Sequence, residues 1–395
     1  MSRILILGGD GYLGWPTAMY FSDMGHEVVV VDNYYRRQTL NRLDIHSLYP
    51  IPDLIERAEI WLKKTDKLIS VFIADLQDSK FLEKLFTGKV NSSFPGQGLG
   101  DWIPDAIIHF AEQPSAPYSL ASLKTADETL VNNLRVTNNV MWAIKDFAPN
   151  CHLIKLGTMG EYGTPNIDIE EGWINIKHKG REDTFLFPRQ ASSIYHTSKI
   201  MDTDLLWFGC RTWNLRVTDL MQGPVYGVYT SQTRSNPTLL PIFNYDEIFG
   251  TVINRFVVQA AIQHPLTVYG SGGQTRGYIN LEDVVQCVGA AFQNPAHKGE
   301  LKIYNQITET FTVLELAERV RDVSRDIGIN VEIDHVQNPR EESESHYYNP
   351  KYSALTDLGV TPHRLTSQVL GEMLELVLQY KEKIEINKIL MGVKW

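Results

Sequence analysis

A short apolar run, Ile4-Leu5-Ile6-Leu7, breaks directly into Gly8-Gly9-Asp10-Gly11-Tyr12-Leu13-Gly14. Apolar at every position, the run reads as a strand buried on both faces, as in a parallel sheet. Glycines at 8, 11 and 14 permit a tight turn, close approach of backbone to a pyrophosphate, and close packing of the next helix. That helix, expected over Thr17 to Met24, points its amide dipole at the phosphates. A glycine pattern alone is weak evidence. Here a second strand, Glu27 to Val31, follows and ends in Asp32. An acid at that tip accepts from both ribose hydroxyls of NAD and repels the 2′-phosphate of NADP. Arg36 and Arg37 argue the other way, because an arginine there accommodates a 2′-phosphate. Asp32 holds the ribose position, so NAD is the expected cofactor, with Arg36 over the adenine. Tyr12, Leu13 and Asn33 belong to the same expected cradle.

The alternation of strand and helix continues. Val71 to Ala74 is a third strand whose end, Asp75-Leu76, meets the adenine, and Ala106 to Phe110 is a fourth. Leu120 to Phe147 has helical periodicity and no proline; within it Asn132 and Asn133 are candidates for bonding a strand backbone or the ribose. Asn91 to Asp101 reads as a surface insertion without chemistry. Asp246 to Ala261, Asp283 to Phe292, Thr312 to Ile327 and Leu365 to Tyr380 read as helices, and Leu266 to Tyr269 as a strand. The expected class is α/β: a Rossmann-type doubly wound parallel sheet with a smaller C-terminal substrate-binding domain. At 395 residues and 43% hydrophobic, the chain has room for both. The expected division is 1–221, with 280–305 returning, for the dinucleotide, and 222–279 with 306–395 for the substrate.

Chemistry concentrates between Leu156 and Lys199. An apolar run stops at Gly157-Thr158, which delivers a hydroxyl to the end of a strand. Tyr195 and Lys199 stand four residues apart, on one face of a helix. A phenol of pKa near ~10 needs about three units, ~4 kcal/mol, to act as a base near neutrality. An ammonium at ~4 Å in a partly buried site supplies roughly that. Taken alone, the pair is as well explained by a surface tyrosine and lysine; the glycine turn overrides that reading. The long excursion from Thr158 to Tyr195 is expected to cover the substrate.

The net charge of −10 argues against general nucleic-acid binding. No run approaches the ~20 apolar residues of a membrane span. The three cysteines are widely spaced and suggest neither a metal site nor a disulfide framework. A strand beginning at Arg3 leaves no room for a targeting peptide, so a cytoplasmic setting is expected.

Together, Gly8/Gly11/Gly14, Asp32, Asp75, Thr158 and Tyr195/Lys199 resemble the extended short-chain dehydrogenase/reductase superfamily over essentially the whole chain. KLGTMGEYGTPNIDIEEG (155–172), GGDGYLGWPTA, SAPYS, LTVYGSGGQTRGY and HYYN are similar to its UDP-sulfoquinovose synthase family. The resemblance implies NAD, UDP-glucose and sulfite: oxidation at the glucose C4, loss of water across C5–C6, sulfite addition at C6, and reduction at C4. It makes Tyr195 the base, with Lys199 tuning it and Thr158 on the same oxygen. Glu161 is a substitute acid or base, or else caps a turn. Arg276 and Arg340 are implied for the UDP pyrophosphate. Gln190, Gln222, Asn254, Tyr269 and Gln274 are implied for the sugar or uridine. A homodimer is expected through helices at Leu120–Phe147 and Tyr195–Thr212.

Two departures stand out: Pro114 where plant and cyanobacterial relatives carry arginine, and the 91–101 insertion. The competing readings are a nucleotide-sugar 4-epimerase, a 4,6-dehydratase, or an NAD-binding sensor. In the 4,6-dehydratases an Asp-Glu pair follows the threonine; here Met159-Gly160 does.

Overall fold

Seven apolar runs assemble into one sheet. The structure, a computed structural model, describes residues 1–338 and 346–390. The strands are β1 (Arg3–Leu7), β2 (Glu27–Asp32), β3 (Ile69–Ile73), β4 (Ala106–His109), β5 (His152–Thr158), β6 (Arg216–Gln222) and β7 (Leu301–Gln306). Their spatial order is β7-β6-β5-β4-β1-β2-β3. Every pairing is parallel. Parallel neighbours require crossovers, and the crossing helices cover both faces. On one face Ile4, Ile6, Val28 and Val30 pack against Ala18 and Met19 of the helix Gly14–Asp23 and against Val284 and Val288 of Leu281–Gln293. On the other, Leu5, Leu7, Val29 and Val31 meet Val136 and Val140 of Leu123–Phe147 and Leu206 of Ile194–Trp213. The strand order reverses between β1 and β4, and a crevice opens there beyond the carboxyl ends of the strands.

A second core gathers Phe256 and Val257 of the helix Val252–Ala261, Leu316 and Val320 of Val313–Asp326, and Met373 and Val377 of Ser367–Gln379. Leu48 and Tyr49, which follow β2, are buried in this core too. The segment after β2 is thereby tied to both bodies.

Several local expectations change. The helix expected over Leu120–Phe147 is interrupted at Ala121-Ser122, because Ser122 caps a new helix at Leu123: its hydroxyl accepts from Thr125 N at 3.2 Å while its own N–H donates to the Thr125 hydroxyl at 3.0 Å. The helix expected from Asp246 starts only at Val252. Asp246 Oδ1 instead accepts from the N–H groups of Ile248 and Phe249, a local bond that competes with the helix. The 91–101 insertion is part of the sheet's edge: Phe94 O accepts from Val71 N at 2.9 Å, shielding β3 from open-edge pairing. The excursion after Thr158 carries an exposed hairpin at its middle, Trp173–His178 with Arg181–Leu186. Only its two ends border the crevice.

Candidate active site

The crevice holds about 1250 Å³. Its cofactor end is shaped by backbone. Gly8 lies at φ +86°, and a Cβ there would come within 2.8 Å of the Phe110 carbonyl carbon. A Cβ on Gly14 would sit 2.0 Å from Gly8 O. No side chain fits either place, so the turn brings bare N–H groups and a helix start up to the crevice, as a pyrophosphate requires. Gly11, Tyr12 and Leu13 line the same wall. Tyr12 donates its hydroxyl to Gly227 O at 2.5 Å, joining the turn to the far side.

Asp32 is locked at the tip of β2 by two N–H donors, Asp10 N at 2.9 Å and Tyr34 N at 2.7 Å. Burial, then the neighbouring Asp10 carboxylate, pushes its pKa up to about 6. The two arginines divide their work. Arg37 forks onto the Asp10 carboxylate at 2.7 and 2.9 Å, with the fully buried Arg57 on the same carboxylate. Arg36 lines the crevice, lies 3.5 Å over the Phe249 ring and donates to Asn244 Oδ1 at 2.8 Å. Arg37 is therefore committed to Asp10, and Asp32 borders the crevice. Asn33, Asp75, Leu76 and Asn132 also border the crevice. Asn133 does not; it pins the loop after β4, bonding both Gln113 N at 2.8 Å and Gln113 O at 3.2 Å. These features fit a dinucleotide carrying a free 2′-hydroxyl.

At the chemical end, Thr158 closes β5, and its hydroxyl accepts from Gly160 N at 3.2 Å. Tyr195 enters on the first turn of the helix Ile194–Trp213, which Ser193 caps through His196 N at 3.1 Å. Thr158 and Tyr195 both line the crevice. Lys199 does not. Its ammonium is turned onto the Glu112 carboxylate, with Asp202 at 3.8 Å. Burial would lower the Lys199 pKa, but Glu112 and then Asp202 hold it above the ordinary value. The Tyr195 phenol is pushed up, first by burial and then by Glu112. The charge on Lys199 is thus already paired with Glu112, a partner that the spacing of Tyr195 and Lys199 does not report.

Glu161 is corrected as well. It is fully buried and faces inward, accepting from Thr158 N at 3.2 Å, with Lys155 at 3.6 Å and Arg189 at 3.7 Å. It caps the turn after β5 and does not reach the crevice.

Among the expected substrate residues, Gln190, Gln222, Tyr269, Gln274 and Arg276 all border the crevice. Gln274 is 2% exposed, and its amide O and N have no partner among the described residues. A buried amide in that state is suited to a ligand's donors and acceptors. Arg276 faces His346 Nε2 at 2.8 Å. Asn254 is corrected: it lies behind the wall, where its amide is taken up by Asn244 O at 3.1 Å. Arg340 lies outside the described residues.

Two crevice residues, His196 and Arg255, were missed, and Glu112, whose loop was expected near the nicotinamide side, was given no role. A Cβ on Gly160 would meet His196 Nε2 at 2.3 Å, so the imidazole occupies the space that a side chain at 160 would take. The glycine at 160 and the histidine beside Tyr195 were both visible; their meeting was not. Arg255 Nη1 donates to the Tyr269 hydroxyl at 3.3 Å, which donates to Glu247 at 3.2 Å.

Among the described residues no cluster of three or more His, Cys, Asp or Glu side chains is placed to hold a metal, and no helix is long and apolar enough to cross a membrane.

The sheet order, glycine turn and Thr158/Tyr195 pair together fit a dinucleotide-dependent site of the dehydrogenase type. The NAD dependent epimerase/dehydratase family matches residues 4–306. A UDP-glucose 4-epimerase from Bifidobacterium longum, solved with NAD+ and UDP, superposes with TM-score 0.69 at 19% identity, over 97% of this chain and 99% of that one. The similarity sharpens among relatives in sequence. The chloroplastic UDP-sulfoquinovose synthase of Spinacia oleracea is 47% identical over 393 residues, covering 100% of this chain and 79% of its own. That of Sulfolobus acidocaldarius is 40% identical over 396 residues, covering 100% and 97%. The chain belongs to the UDP-sulfoquinovose synthase family, within the NAD-dependent epimerases and dehydratases.

Proposed function

We propose that the chain converts UDP-glucose and sulfite to UDP-sulfoquinovose. One observation carries this beyond the general class. Where 4,6-dehydratases place an acid pair after the threonine, this chain has Met159 and Gly160, with His196 packed against the glycine. Tyr195 and Lys199 are present, so the machinery for C4 oxidation is kept while the machinery for a 6-deoxy product is lost.

NAD, held by the glycine turn and Asp32, supplies oxidation at C4 and the matching reduction at the end. Tyr195 takes the C4 hydroxyl proton and later returns it, and Thr158 orients the same oxygen. A ketone at C4 acidifies the C5 proton. His196, the titratable group beside Gly160, takes that proton and serves the departing C6 hydroxyl, which leaves as water. The sulfur of bisulfite then bonds to C6, and a proton returns to C5. Net, one bisulfite replaces one hydroxyl and one water is released. Arg276 and Gln274 hold the UDP end.

Incubation with NAD+ and UDP-glucose, with and without sulfite, followed by mass spectrometry, tests the reading. A sulfite-dependent product with the mass of UDP-sulfoquinovose is expected. UDP-galactose, or a 4-keto-6-deoxy sugar formed whether or not sulfite is present, would instead establish an epimerase or a dehydratase.

The same reading includes a homodimer. The helices Leu123–Phe147 and Ile194–Trp213 pack side by side and leave Trp142, Met201 and Phe208 more than two-fifths exposed, at 43%, 43% and 42%. Trp213 gathers Trp142 at 4.8 Å and Phe208 at 5.4 Å into one aromatic patch. A patch of this kind on two parallel ridges suits an isologous contact with a second copy. Sedimentation should show one species of twice the chain mass; a monomer at micromolar concentration would dismiss the contact. The three cysteines are buried and unpaired, in keeping with a reducing compartment such as the cytoplasm.

A further inference from the structure

We propose that Glu112 is a positioning residue of this reaction: its carboxylate holds the Lys199 ammonium at the crevice wall, and that charge pair governs when Tyr195 is able to give up its proton. The inference rests on the reading of Tyr195 as the group that takes the C4 proton.

Glu112 lines the crevice just beyond β4 and is nearly buried, at 6% exposure of its side chain. Its loop has little freedom. Phe110 N donates to Leu7 O at 2.8 Å, and Asn133 holds both backbone groups of Gln113. Asn133 also donates to Ser198 Oγ at 3.0 Å, and Ser198 donates to Tyr195 O at 2.7 Å. One buried amide thus keeps the loop carrying Glu112 in register with the helix carrying Tyr195 and Lys199. The placement of Glu112 opposite Lys199 is built in.

The other charges around this pair come from each packed element. On the helix itself stand His196, whose ring centroid is 5.2 Å from that of Tyr195, and Asp202, 3.8 Å from the ammonium. β5 brings Lys155, the turn after it Glu161, and β6 Asp219; these three pair with one another, Lys155 lying 3.6 Å from Glu161 and 3.3 Å from Asp219. Arg189 leans on Glu161 at 3.7 Å. β4 brings His109, 3.8 Å from the second Glu112 oxygen, but burial pulls its pKa down to about 4 and it stays neutral. Lys199 is therefore the cation that Glu112 answers.

A carboxylate here opposes a phenolate, and the ammonium favours one. With both present the pair nearly cancels, and the phenol gives up its proton less readily than it would beside the ammonium alone. After burial itself, Glu112 is the first group that pushes the Tyr195 phenol up. Neutralising Glu112 removes the nearer of the two carboxylates that answer the ammonium, so Lys199 acts more strongly on the phenol, while Asp202 at 3.8 Å helps to keep Lys199 charged.

The test is Glu112→Gln. In single turnovers without sulfite, the rate at which UDP-glucose reduces bound NAD is followed against pH. Its alkaline-rising limb should move about one pH unit or more toward acid. A second readout needs no turnover. The tyrosinate absorbance difference between Glu112→Gln and Glu112→Gln/Tyr195→Phe should appear at lower pH than the difference between wild type and Tyr195→Phe. A slower enzyme with both transitions where wild type has them overturns the proposal and leaves Glu112 a structural residue. If wild type itself fails to reduce NAD with UDP-glucose, the reading of Tyr195 falls, and the tyrosinate difference still decides the case of Glu112. Should Glu112→Gln not fold, Glu112→Asp keeps the charge and must keep the limb in place; a shift in that variant overturns the assignment.

Discussion

Tyr195→Phe should reduce turnover by about 10²-fold or more while leaving the fold and NAD binding in place. The loss follows from position. Tyr195 lines the crevice together with Thr158 at the end of β5, and no other phenol shares the first turn of its helix. The retention follows from how the residue is held. The Tyr195 backbone N–H is bonded to Ser119 Oγ at 3.1 Å, and its helix is capped by Ser193, so the hydroxyl is not needed to seat the ring. Steady-state rates with UDP-glucose and sulfite, beside NAD titration of the variant, separate the two claims. Wild-type turnover in the variant would remove Tyr195 from the chemistry. Lost NAD binding would mean that the hydroxyl has a structural task instead.

Lys155→Met should cost about 3–5 kcal/mol of stability. Lys155, Glu161 and Asp219 are all fully buried beneath the crevice. The ammonium donates to Thr203 Oγ1 at 2.9 Å, Lys199 O at 3.2 Å and Asp219 Oδ2 at 3.3 Å. Methionine fills much of the volume but leaves two buried carboxylates facing each other, with Arg189 the remaining cation near Glu161. Burial already raises the Glu161 pKa, and Lys155 opposes that rise. An acid whose folded pKa is raised binds its proton more tightly when folded, so stability falls as pH rises through the titration range. Losing Lys155 raises that pKa further. The deficit of the variant should therefore be larger at mildly alkaline than at mildly acidic pH. Urea midpoints of wild type and variant at both pH values measure it; a deficit under about 1 kcal/mol, flat with pH, would show that the network contributes little.

Much of the site was legible because its signals are local. The apolar run before Gly8, the carboxylate ending β2 and the four-residue spacing of Tyr195 and Lys199 each depend on a few neighbouring residues. The errors were of the opposite kind. The helix at 246 was placed too early because Asp246 bonds to N–H groups two and three residues on, a choice periodicity cannot report. Asn254, implied for the sugar or uridine by resemblance, instead donates to Asn244 O, a contact that the resemblance does not report.

By itself, the sequence determined most strands of the sheet and its glycine turn, the acid that ends β2, and the four-residue spacing of Tyr195 and Lys199. Those follow from strand and helix periods and from the absence of side chains at Gly8 and Gly14. Only the tertiary structure decided which charges meet. It set Lys199 against Glu112 rather than leaving it free to act on the phenol, turned Glu161 inward to Lys155, and laid His196 over Gly160. Glu112 and Lys199 are far apart along the chain and come together because β4 and the helix Ile194–Trp213 pack side by side at the crevice. A buried charge takes whichever partner the packing brings within reach, since leaving it unpaired costs several kcal/mol.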